Sequence, residues 1–81
     1  MKIVFEHLGV TLNGRFISSI EKYDEIVDSR ISLWMTNGVR YLFSGSDGNI
    51  KSLYQSLEMA MNDSDEVIFN RTIKSCNYGT K

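Results

Sequence analysis

A single stretch of this chain, Ile50 to Met61, places apolar residues at helical spacing. Ile50, Leu53, Tyr54, Leu57, Ala60 and Met61 recur every three or four positions, while Lys51, Ser52, Gln55, Ser56, Glu58 and Asn62 fill the other side. A helix with one apolar face needs a surface to cover. The rest of the chain supplies runs rich in β-branched and aromatic residues, so the sequence predicts an α+β domain. Its expected form is an antiparallel sheet of two β-hairpins plus a C-terminal strand, with one helix packed on one face. Ser46 or Asp47 is placed to cap the first free amides of the helix, and Asn62 and Asp63 to end it.

Lys2 to Leu12 carries Ile3, Val4, Phe5, Leu8, Val10 and Leu12 and reads as strand, with Gly9 as its break. Asn13-Gly14 then predicts a hairpin turn, because both residues tolerate a positive φ, and Arg15 to Ile20 is the returning strand. Glu21 to Asp28 reads as a connecting strand or turn. Ile20, Tyr23 and Val27 also fit a helical stripe, but no apolar face there is long enough to bury. Ser29 to Ser44 is a second hairpin around Asn37-Gly38, and its pattern selects the turn. A two-residue loop puts Trp34 opposite Tyr41 and leaves the sheet apolar on both sides. A three-residue loop, Thr36-Asn37-Gly38, pairs Met35 with Val39, Leu33 with Tyr41 and Ile31 with Phe43, gathering the apolar residues on one face. The other face then carries Ser32, Trp34, Arg40 and Leu42. Glu66 to Ile73 is a last strand with Val67, Phe69 and Ile73 on one side. Residues 1–73 form the expected domain, and 74–81, apolar only at Cys76 and Tyr78, a tail expected to fray.

Composition narrows the function classes. Eighty-one residues leave room for one small core. Nine basic against ten acidic residues give a net charge of -1, which removes the simplest argument for non-specific nucleic-acid binding. The first residues lack a signal-peptide pattern, no apolar run reaches the roughly 20 residues of a membrane span, and the one cysteine cannot staple the fold. A cytoplasmic protein is therefore expected. His7 and Cys76, the only histidine and the only thiol, lie at opposite ends of the chain, so no nucleophile and base pair is expected; no ligand spacing suggests a metal. The small-residue loop Ser44 to Asn49 lacks a phosphate-binding lysine and reads as a turn and helix cap, so no cofactor is expected.

Two groups of residues suggest binding. Glu21, Asp24, Glu25 and Asp28 place four acidic side chains within eight positions, a patch suited to a basic groove on another protein or to a solvated connection. Trp34 with Arg40, and with Tyr23 nearby, has the composition of a protein-binding hot spot, and equally of a base-stacking platform. Burial of Trp34 under the N-terminal hairpin would remove that patch.

Thr36-Asn37-Gly38-Val39-Arg40-Tyr41-Leu42-Phe43-Ser44 and the following Ile50-Leu53-Leu57 helix resemble part of the small phage-encoded anti-CRISPR inhibitor proteins. The resemblance implies a non-enzymatic phage or mobile-element protein that occupies the binding surface of a host protein or ribonucleoprotein complex, in the host cytoplasm. The alternatives are a small single-stranded nucleic-acid binder using Trp34, Arg40 and Lys51, and a self-assembling structural subunit.

Overall fold

The computed structural model describes residues 2–62 and 65–80. In chain order they form β1 (Lys2–Phe5), β2 (Val10–Asn13), a single 3-10 turn (Gly14–Phe16), β3 (Ile17–Tyr23), β4 (Ser29–Met35), β5 (Val39–Gly45), α1 (Asp47–Asn62), β6 (Glu66–Phe69) and β7 (Ser75–Thr80). The fold is α+β. Its strands divide between two sheets rather than one: a three-stranded sheet in the order β2-β1-β6 and an antiparallel four-stranded sheet in the order β3-β4-β5-β7.

The helix forms for the reason its spacing gives. Ile50, Leu53, Leu57 and Ala60 are fully buried, and Tyr54 and Met61 pack at the margin of the core. Ser46 caps it, its carbonyl accepting from the Ile50 amide at 2.9 Å and its hydroxyl from the Asn49 amide at 3.3 Å. Asn62 is its last described residue; Asp63, expected to share in ending it, lies outside the described residues. The helix touches strands of both sheets. Between the sheets, Phe5 of β1 stacks on Phe43 of β5 with centroids 5.2 Å apart and meets Phe69 of β6 edge-on at 5.9 Å. One continuous core results, with Ile3, Leu12, Ile17, Ile31, Leu33, Val67 and Ile73 filling the rest.

The second hairpin has the three-residue loop and the register that the apolar pattern selects: Leu33 opposite Tyr41 and Ile31 opposite Phe43. Gly38 adopts φ +90, its amide donates to the Met35 carbonyl at 3.1 Å, and the Val39 amide donates to Asn37 Oδ1 at 3.0 Å. Residues 24–28 form the β3–β4 connection as a turn.

Three further expectations fail. The first hairpin turns at Gly9, with φ +65 and its amide bonded to the Phe5 carbonyl, so β1 pairs with β2. Asn13-Gly14 instead opens the 3-10 turn that carries the chain from one sheet to the other. Gly14 lies against α1: a Cβ there would fall 2.1 Å from the Ala60 carbonyl oxygen. The strand expected over Glu66 to Ile73 ends at Phe69 and pairs in parallel with β1, while Ile73 is buried from the following loop. Finally, the tail expected to fray contributes an edge strand. Ser75 to Thr80 pairs with β5 along six registered positions, the backbone supplying what the side chains lack.

Candidate functional site

Alternation along the four-stranded sheet decides which side chains reach its outer face. Opposite the helix side, β3 presents Ser19, Glu21 and Tyr23, β4 presents Arg30, Ser32 and Trp34, and β5 presents Arg40, Leu42 and Ser44. The pairings Ser19 with Trp34, Glu21 with Ser32, Tyr23 with Arg30 and Trp34 with Arg40 set them side by side. The N-terminal hairpin lies on the opposite side, where Phe5 stacks on Phe43, and Trp34 is half-buried among its own sheet's neighbours rather than under β1 and β2.

Trp34 and Arg40 form a cross-strand pair, the guanidinium carbon 5.1 Å from the ring centroid. Arg40 Nη2 donates to Ser32 Oγ at 2.7 Å, and Ser32 is wholly buried beneath it. Arg40 Nε is withdrawn from water and meets no acceptor. A buried donor left without an acceptor costs about 1–3 kcal/mol. Tyr23, from the neighbouring strand, donates its hydroxyl to Glu21 Oε2 at 2.7 Å. That bond, with a smaller contribution from burial, holds the phenol above its ordinary pKa against the opposing pull of Arg40. Tyr23, Glu25, Arg30, Arg40 and Leu42 line a shallow cleft at this end of the face.

The four predicted acidic residues occupy adjoining positions, yet they do not make a bare negative patch. Glu21 lies on the outer face; Asp24, Glu25 and Asp28 lie on the β3–β4 connection. Asp24 pairs with Lys22, Glu25 with Arg30 at 2.5 Å, and Asp28 with Lys74 at 2.8 Å. Exposed pairs of this kind contribute about 0–1 kcal/mol each, but they set three cations against three carboxylates and mute the field. Between them project Ile26 and Val27, 103% and 84% exposed. Neither was singled out from the sequence as a site residue. The signal was available, since two β-branched residues inside a polar turn have no core within reach.

Other candidates are placed elsewhere. Lys51 is on α1, paired with Asp47 at 3.1 Å. Hydrogen bonds from Ser29 and then from Lys51 hold the Asp47 carboxyl below its ordinary pKa. His7 is in the β1–β2 turn, its Nε2 2.5 Å from the Asn70 carbonyl oxygen. Cys76 is part-buried in β7, where burial pushes its thiol pKa up. Among the described residues no three His, Cys, Asp or Glu side chains gather as a metal site, and no helix is long and apolar enough to cross a membrane. No family model matches this chain, and neither a curated protein nor a solved structure is significantly similar to it.

Proposed function

We propose that this chain is a non-enzymatic protein-binding inhibitor, encoded by a phage or mobile element, that occupies the binding surface of a CRISPR-type defence or nucleic-acid-processing complex in the host cytoplasm. The observation that carries the binding reading is one sheet that bears Tyr23, Trp34 and Arg40 on its outer face and exposes Ile26 and Val27 on the connection next to Tyr23. Exposed apolar residues beside tryptophan, tyrosine and arginine are the make-up of protein hot spots. The acidic residues Glu21, Asp24, Glu25 and Asp28 frame that surface and set its register on a partner. The host-defence target comes from the resemblance of residues 36–44 and the following helix to anti-CRISPR inhibitors.

The test is plasmid interference in bacteria expressing a panel of CRISPR nucleases. The chain restores transformation by a targeted plasmid, and Trp34→Ala or the pair Ile26→Ser with Val27→Ser weakens binding roughly thirtyfold, the scale of one hot-spot residue. Full interference throughout the panel refutes the inhibitor assignment. Equal protection by all the variants refutes the surface.

One observation favours a second reading. The Arg40–Trp34 stack on an open sheet would also hold unpaired bases. Glu21 and Glu25 weigh against it, since phosphates would approach carboxylates. Quenching of Trp34 emission by an oligonucleotide at physiological salt would reverse the ranking.

A further inference from the structure

Arg40 is a cation in search of a counter-charge. It is half-buried, one amino group is committed to Ser32, and Nε has no acceptor. No carboxylate among the described residues lies within ion-pair distance of it. The two acidic side chains at hand are engaged: Glu21 by the Tyr23 hydroxyl and Glu25 by Arg30. Arg30 and Arg40 nevertheless line one cleft, of ≈ 250 Å³, together with Tyr23, Glu25 and Leu42. Two guanidinium groups and a phenol over a leucine suit a planar anion next to an apolar group.

We propose that this cleft receives a carboxylate side chain from a protein partner, and that Glu25 holds that carboxylate's place on Arg30 in the free chain. The inference rests on the protein-binding reading above and specifies the chemistry of the partner: an acidic residue beside an apolar one. The incoming carboxylate turns the guanidinium of Arg40 so that Nε gains its missing acceptor, and competes with Glu25 for Arg30. Nucleic acid fits less well. It would bring a phosphate with every nucleotide past Glu21, Asp24 and Glu25, whereas a protein segment brings a single charge and apolar neighbours for Leu42 and the Ile26–Val27 tip to cover.

The experiment titrates the full chain, labelled with nitrogen-15, with a capped peptide alternating glutamate and leucine, with the matching glutamine peptide, and with a short oligothymidylate. The glutamate peptide shifts the Arg40 Nε–H resonance and Trp34 emission, and the glutamine peptide does neither. Glu25→Gln tightens glutamate-peptide binding by up to about fivefold, the range open to one exposed ion pair. Arg40→Lys keeps the charge but loses the fork, so it abolishes the response while leaving the amide spectrum dispersed. Equal shifts from both peptides, an unaffected Arg40→Lys variant, or a response to oligothymidylate alone would each overturn the carboxylate site. If Arg40→Lys still protects plasmids while Trp34→Ala does not, the carboxylate site fails and the protein-binding reading stands. A wild-type chain that never protects defeats the inhibitor reading whatever the peptides do.

Discussion

Asn13-Gly14 and Asn37-Gly38 are the same dipeptide in similar β-rich surroundings, yet they build different things. The asparagines behave alike: each side-chain oxygen accepts from the amide two residues on, Arg15 in one case and Val39 in the other, both at 3.0 Å. The glycines do not. Gly38 uses its freedom of φ to close a hairpin in open space. Gly14 keeps a φ that any residue can adopt and uses its missing side chain instead, letting the chain pass under the end of α1 beside Ala60. Local preference fixed the asparagine's role at both sites, whereas packing decided the glycine's role at one of them.

Substitutions put the contrast to work. Gly14→Ala carries the largest expected effect, because the obstructing atoms are the Ala60 backbone carbonyl, which cannot swing aside as a side chain would. A cost of about 3 kcal/mol lowers the melting midpoint by more than roughly 10 °C in a domain this size. Adding Ala60→Gly does not rescue it; rescue would mean that the methyl group, not the carbonyl, sets the limit. Gly38→Ala meets no atom and is left only with an unfavourable φ, about 1 kcal/mol in the same melt. Should the two glycine variants melt together, packing and turn geometry are not separable here. Asn13→Ala and Asn37→Ala come last, about 0.5–1 kcal/mol each and equal to one another, since they lose the same bond. A clear inequality between them in urea unfolding would break the parallel.

The same division explains how much could be read in advance. Helix α1 and the β4–β5 register were legible because each needs only its own residues: one stripe at helical spacing, one alternation with an Asn-Gly loop. The split into two sheets was not, for Glu66–Phe69 is a four-residue strand whose sequence carries no mark of its partner, β1. Strand β7 was missed because Ser75-Cys76-Asn77 offers almost no apolar signal; it is an edge held by main-chain bonds to β5. At the site, Trp34 and Arg40 came from the β4–β5 pattern, which places them on one face. Arg30 lay within reach of the same reasoning, two positions from Ser32. Among the partners of the acidic residues, Lys22 and Arg30 lie within five positions of them in the sequence, but Lys74 comes from a loop far away in it.

The parallel pairing of β1 with β6 has a consequence in time. A chain made from its N-terminus can form the β1–β2 and β4–β5 hairpins as soon as their residues exist, but Lys2–Phe5 has no second neighbour until Glu66–Phe69 has been synthesised. Through that interval the aromatic ring of Phe5 has no Phe69 beside it. Strand β1 is thus made well before the neighbour that completes its sheet and is among the last elements to find its place.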